Sequence, residues 1–170
     1  SYANEVDACM YSGAQKLKDG SLKGWREYSS ADWLENSVFS VKQDVKQLNE
    51  NIIHYTVERP LVELQQNKGL QPDDIDYFLP HYSSKFFRQK VYDAMVNIGF
   101  EIPFDRWFTN LESKGNTGSA SIYIMLDELF HSGKLAVGNK ILCFIPESGR
   151  FSSAFMLLSV CSSQSELNNE

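Results

Sequence analysis

Ile75-Asp76-Tyr77-Phe78-Leu79-Pro80-His81-Tyr82-Ser83-Ser84 runs from a short, β-prone apolar segment into a polar corner rich in serine. Aromatic and branched side chains favour extended backbone, and Pro80 removes an amide donor just where the run ends. Ser83 or Ser84 can then cap a helix whose apolar positions Phe87, Val91, Ala94, Met95 and Ile98 fall on one stripe, closed at Gly99. This unit of strand, corner and helix sets the pattern for the rest of the chain.

Upstream, Val41, Val45, Leu48, Ile52 and Tyr55 recur at spacings of four, three, four and three, the signature of an amphipathic helix. Pro60 lies inside its continuation and predicts a kink or division, and Gly69 predicts a stop. Residues 6–11 read as a short strand, Asp19-Gly20 as a turn, and residues 31–35 as a brief helical turn in a stretch without clear periodicity.

Downstream, residues 106–109 are a short strand candidate and 110–115 a polar connection. A helix then begins at Asn116 or Thr117 and runs through Ile122, Met125, Leu126, Leu129 and Phe130 to Gly133. Residues 141–145 and 154–160 are apolar on both faces, as central strands are, and Pro146-Glu147-Ser148-Gly149-Arg150 joins them like a hairpin. The order βαβαβαββ predicts an α/β fold with a mixed, mostly parallel five-stranded sheet and helices packed on it, the last strand pair antiparallel. In such open sheets chemistry gathers beyond the carboxyl ends of the strands, where His81 and Asn116 both fall.

At 170 residues, with 42% hydrophobic and 13% aromatic content, the chain suits one compact domain over residues 1–161. The tail 162–170 has Leu167 as its one apolar residue and is expected to fray. No apolar run reaches the roughly 20 residues of a membrane helix, and no signal segment opens the chain, so a soluble cytoplasmic protein is expected. Cys9, Cys143 and Cys161 are too few and too scattered for a disulfide framework or a zinc knuckle. The 22 acidic residues outnumber the 16 basic ones, giving a net charge of -6 without a basic run, which argues against nucleic acid as a partner.

Taken singly, His81 reads as a turn histidine satisfied by backbone, and Asn116 followed by Thr117 as an ordinary helix cap. Taken together, Pro80-His81, then Gly115-Asn116-Thr117-Gly118-Ser119-Ala120-Ser121-Ile122, Leu126-Asp127-Glu128-Leu129, Gly133-Lys134-Leu135 and Gly138-Asn139-Lys140-Ile141-Leu142 carry more. In this order they resemble the C-terminal half of β-ketoacyl-acyl-carrier-protein synthase III enzymes, condensing enzymes of the thiolase fold. The resemblance spans nearly the whole chain.

The resemblance implies a chemistry for the pair. Decarboxylation of a malonyl thioester places negative charge on the thioester oxygen, and two neutral N–H donors aimed there stabilise it without surrendering a proton. His81 and Asn116 match the family's donors, so they are expected to act as catalytic residues in a decarboxylative Claisen condensation with an acyl primer. The resemblance calls for no cofactor and no metal.

The family's acyl-accepting cysteine belongs to its N-terminal half, at the start of a helix within an Ala-Cys-small-Gly pattern. Cys9 is followed by bulky Met10 and Tyr11 in a strand-like run, and Cys143 and Cys161 lie in or at the end of strands. The nucleophile is therefore expected to be absent from this chain, which alone should not transfer acyl groups. Partners implied are acyl carrier protein or coenzyme A thioesters, the N-terminal half of the same enzyme, and a second copy in a homodimer through residues 118–121.

Two departures from the family pattern matter. A glycine-rich turn between the last two strands is replaced by Pro146-Glu147-Ser148-Gly149-Arg150-Phe151, leaving Ser148 and Gly149 as candidate substrate-binding backbone. Tyr82-Ser83-Ser84-Lys85-Phe86-Phe87-Arg88 replaces a His-Gln-Ala-Asn continuation, and Lys85 with Arg88 is either a carrier-protein contact or a solvated helix face. A noncatalytic acyl-binding or assembly module of the same fold is the alternative, and a synthase acting on coenzyme A thioesters in secondary metabolism a third reading.

Overall fold

The computed structural model describes residue 2 and residues 4–162; the expected fraying tail from 163 onward lies outside the described residues. Where the chain length suggests one domain, the chain gathers into two compact units. One comprises the chain up to Ile52 with Glu147–Ser152, the other Ile53–Pro146 with the chain from Ser153.

The first unit is built from short elements. Strand β1 (Met10–Tyr11) pairs antiparallel with β4 (Lys42–Gln43), and β2 (Ala14–Lys16) with β3 (Leu22–Gly24). The Asp19-Gly20 turn joins β2 to β3, with Asp19 Oδ1 accepting from the backbone N–H and the hydroxyl of Ser21 at 3.0 and 2.7 Å. Helix α1 (Asp32–Glu35) is the short turn expected at residues 31–35. Trp25, Trp33 and Phe39 meet edge-on or tilted, with ring centroids 5.4–6.2 Å apart. The strand expected over residues 6–11 shrinks to two residues: only Met10 and Tyr11 pair with β4, and Cys9 alone of that run is buried, its apolar neighbours Ala8 and Met10 staying exposed.

Helix α2 (Val45–Ile53) is followed by a π-helical turn, His54–Glu58, and then by α3 (Arg59–Lys68). The division expected from Pro60 takes this form. Pro60 sits in the first turn of α3, where a missing N–H costs little, and the wider turn ahead of it accommodates the ring. Gly69 ends α3 in the left-handed region at φ 65°, its N–H bonding the Gln65 carbonyl at 3.1 Å.

The second unit is a layered α/β structure. Strand β5 (Tyr77–Pro80) leads to α4 (Phe86–Asn97), then α5 (Leu111–Lys114), α6 (Ser121–His131) and the long strands β6 (Lys140–Glu147) and β7 (Ser152–Ser159). The strand order is β5-β6-β7, and β5 runs parallel to β6 in the register Tyr77–Ile141, Phe78–Leu142, Leu79–Cys143, Pro80–Phe144.

Alternate residues of β5 and β6 enter different cores, as the pleat requires. Phe78, Leu142 and Phe144 pack with Val57 and Leu61 and with Val91, Ala94 and Met95 of α4. Leu79, Ile141 and Cys143 pack with Ile122, Met125 and Leu129 of α6. A strand buried on both faces explains why residues 141–145 are apolar without alternation.

Two expectations need correction. The sheet among the described residues has three strands in place of five, since residues 106–109 contribute only a single bridge from Trp107 to Phe78. A 3-10 turn, Phe104–Arg106, follows Pro103 and uses the backbone that a strand would need. The helix expected from Asn116 or Thr117 also starts later. A 3-10 turn, Gly118–Ala120, precedes α6, with Gly118 at φ 59°.

Candidate active site

His81 stands one residue beyond β5, where its backbone N–H continues the parallel ladder to the Phe144 carbonyl at 2.9 Å. The ring is half-buried, and burial pushes its pKa below the ordinary histidine value. It therefore favours the neutral imidazole at pH 7, with one N–H to donate.

His81 borders a cavity of about 10 Å³, room for one water-sized group. Pro80 and Tyr82 flank it on the chain, Thr109, Asn110, Leu111 and Gly115 line it from the connection around α5, and Ser121 and Met125 from α6. The Tyr82 hydroxyl lies 3.4 Å from Thr109 Oγ1. The cavity is thus bounded by the end of a sheet strand, a short helix and the start of a long one.

Asn116 follows the cavity-lining Gly115 directly and is exposed. The Gly118 N–H donates to its side-chain oxygen Oδ1 at 3.0 Å. A backbone N–H can only donate, so it must meet the oxygen, and the Nδ2 amide is left to donate elsewhere. Gly115 makes the bend possible at φ 73° and ψ -172°, a region open to glycine and closed to residues with a Cβ.

The remaining candidates are less open. Lys85 forms an ion pair with Glu112 at 2.6 Å and holds that carboxyl below its ordinary pKa. The Arg88 guanidinium lies 3.8 Å from the Phe104 ring centroid. Ser148 and Gly149 belong to the first unit, whereas His81, Asn116, Lys85 and Arg88 belong to the second. The Ser148 carbonyl accepts the Cys9 thiol at 2.9 Å, and the Gly149 carbonyl accepts the Cys9 N–H at 2.9 Å. The Gly149 N–H already donates to Glu147 Oε1 at 2.6 Å.

The thiols follow their surroundings. Cys9 is fully buried and its pKa is raised, first by desolvation. Cys143 is equally buried in β6, its pKa pushed up to about 12 by burial. Cys161 is exposed. Neither buried thiol has the electropositive, accessible setting that makes a nucleophile.

Sequence reasoning passed over Asn110 and Glu128. Asn110 Nδ2 donates to Glu128 Oε2 at 2.8 Å, and Lys114 Nζ lies 3.2 Å from Glu128 Oε1. Asn110 read as part of a polar connection and Glu128 as one residue of the Leu126-Asp127-Glu128-Leu129 motif, and nothing in their spacing brings them together.

The 3-oxoacyl-[acyl-carrier-protein (ACP)] synthase III C-terminal family model matches residues 64–156, more than half of the chain. The chain belongs to this family. The match includes His81, Asn116 and every residue around the cavity.

Among curated relatives of this synthase III family, the beta-ketoacyl-[acyl-carrier-protein] synthase III of Chlamydia pneumoniae is 35% identical over 74 residues, 44% of this chain and 21% of its own length. That of Synechococcus elongatus is 26% identical over 148 residues, 82% of this chain and 42% of its own length. The chain therefore spans about a fifth to two-fifths of the relatives it matches.

In fold, the chain is similar to the synthase III of Thermus thermophilus, with a TM-score of 0.61 at 22% identity over 91% of this chain and 42% of that one. OleA from Xanthomonas campestris gives a TM-score of 0.61 at 21% identity, over 78% of this chain and 37% of that one. The fold is thus α/β and thiolase-like, as the resemblance implied. Among the described residues, no helix is long and apolar enough to cross a membrane.

Proposed function

We propose that this chain supplies the decarboxylation and oxyanion groups of a synthase III-type acyltransferase, with His81 and Asn116 as the two neutral donors. The supporting observation is the shared corner: His81 stands one residue past a buried strand, beside a cavity that Gly115 also lines, and Asn116 follows Gly115 in the chain. Loss of carbon dioxide from a malonyl thioester leaves an enolate whose oxygen accepts from the imidazole N–H and from Asn116 Nδ2. Burial of His81 favours the neutral ring, which donates while keeping its proton. The enolate carbon then attacks an acyl thioester, whose thiol leaves as the new carbon–carbon bond forms.

The acyl-accepting cysteine of this reading lies outside the three thiols here. Substrates would be thioesters of acyl carrier protein or coenzyme A, with Ser148 and Gly149 offering backbone to the thioester and Lys85 and Arg88 meeting an acidic carrier. For those two roles Gly149 would have to release Glu147, and Lys85 would have to release Glu112.

The test is malonyl-thioester decarboxylation and condensation by the intact protein beside its His81→Ala and Asn116→Ala variants, with folding checked by circular dichroism. A fall of about two orders of magnitude or more in each variant supports the donor pair. An inactive parent, or variants that match it, moves the reading to a noncatalytic acyl-binding or assembly module of thiolase fold.

A further inference from the structure

The connection between Phe108 and Ser121 delivers Asn116; the Phe108 N–H bonds the Phe78 carbonyl at 2.9 Å and Glu112 pairs with Lys85 at 2.6 Å, but neither tie holds both ends of α5. Helix α5 is four residues long, too short to be stable by itself, and residues 112–120 are all exposed. Its position depends on what ties it to the second unit's framework.

One side chain does much of that. Glu128 projects from α6, which packs through Ile122, Met125 and Leu129 on the sheet. One of its carboxylate oxygens accepts from Asn110, the residue just before α5, and the other meets Lys114, the last residue of α5. Asn110 also caps the turn from inside, its carbonyl accepting the N–H groups of Ser113 and Lys114 at 3.1 and 2.9 Å. The two ends of the short helix are thereby fixed to a rigid helix by a single bidentate carboxylate. Two residues past Lys114 stands Asn116.

We propose that Glu128 is a positioning residue for Asn116, holding α5 so that the carboxamide faces the reacting oxygen beside His81. The inference rests on the donor role proposed for Asn116. Charge-assisted hydrogen bonds are roughly twice as strong as neutral ones, and small misplacements of a donor weaken transition-state stabilisation steeply. The Asn110 bond, aided by Lys114 and opposed by some desolvation, holds the Glu128 carboxyl below its ordinary pKa, so the clamp stays ionised at neutral pH.

The test is a double-mutant cycle on malonyl-thioester decarboxylation by the intact protein. Glu128→Ala should lower the rate by about tenfold or more with its thermal transition still above the assay temperature. Glu128→Gln, which keeps an acceptor for Asn110 but loses the charge that meets Lys114, should recover part of that loss. Adding Glu128→Ala to Asn116→Ala should cost nothing further, because a residue acting through Asn116 has nothing left to position. A general packing role would instead multiply the two losses, and that outcome overturns the inference, as does an unchanged Glu128→Ala rate. If Asn116→Ala alone is without effect, the donor reading itself falls and the inference with it. Should Glu128→Ala fail to fold, Asn110→Ala and Lys114→Ala each remove one arm of the clamp and are read in the same cycle.

Discussion

The thiol of Cys9 donates to the carbonyl of Ser148 at 2.9 Å across 139 residues of chain, while the Cys9 N–H bonds the neighbouring Gly149 carbonyl. Cys9, whose bulky neighbours already argue against a nucleophile, is thus a fastening for the turn at residues 147–152. Its hydrogen is committed, its side chain is fully buried and its pKa is raised.

This arrangement sets the reactivity of the thiols. In the native protein, alkylation should modify Cys161 rapidly, and Cys9 and Cys143 only after unfolding. Mass spectrometry of protein labelled with and without denaturant reads this directly, and rapid native labelling of Cys9 would contradict it. Cys143 adds a pH dependence. Its folded pKa of about 12 exceeds the ordinary 9.0, so the stability it contributes is complete below about pH 9 and declines as pH rises toward 12.

His81 has the opposite charge chemistry and the opposite limb. Burial lowers its folded pKa, so the unfolded chain takes up a proton first as pH falls through about 6.5. Where the unfolded state holds more protons, stability rises with pH, and acidification therefore weakens the fold. Chemical denaturation from pH 7.5 to 5 should show a smaller loss in His81→Gln than in the parent. The ring's NMR titration should fall below the ordinary histidine value.

Gly115 stands in backbone space that a Cβ makes costly, at φ 73° and ψ -172°. Gly115→Ala should destabilise the protein by about 1–3 kcal/mol, or shift the loop that carries Asn116. Space is not the obstacle, since an added Cβ would meet nothing within 4 Å. Thermal denaturation together with decarboxylation rates separates a global from a local effect.

Phe78 is 1% exposed, with its ring centroid 5.1 Å from that of Trp107 and 6.3 Å from that of Phe144. Phe78→Ala should cost about 3–5 kcal/mol, and Phe78→Leu less. Urea unfolding monitored by tryptophan fluorescence measures both.

Much of this architecture is legible in the sequence because burial leaves a periodic trace. The stripe Val91, Ala94, Met95 is buried as its spacing predicts, and the unbroken apolarity of β6 matches a strand covered on both faces. The hairpin of β2 and β3 left no such trace, since Ala14, Gln15 and Lys16 pair with Gly24, Lys23 and Leu22 through backbone with no residue fully buried. Apolarity also overstates β7. It lies beside β6 at one side of the three-stranded sheet, with Ala154, Leu157 and Ser159 exposed. For the candidate site, the position of His81 just after a strand is legible in the sequence. The bond from Asn110 to Glu128 depends on how α5 folds back on α6, a tertiary relation that no local period encodes.

Asp76 and Lys140, 64 residues apart, exchange two hydrogen bonds at the start of the β5–β6 pair: the Lys140 N–H to Asp76 Oδ2 at 2.7 Å and the Asp76 N–H to the Lys140 carbonyl at 2.9 Å. During synthesis, then, the strand that leads into His81 emerges well before its neighbour exists. Its apolar faces must wait through the translation of α4 and α6, a delay of several seconds at about 5–20 residues per second. Long-range parallel pairing is slow even in a finished chain. The ribosome-bound intermediate, with Phe78 and Leu79 uncovered, is where a chaperone would find this protein most in need of help.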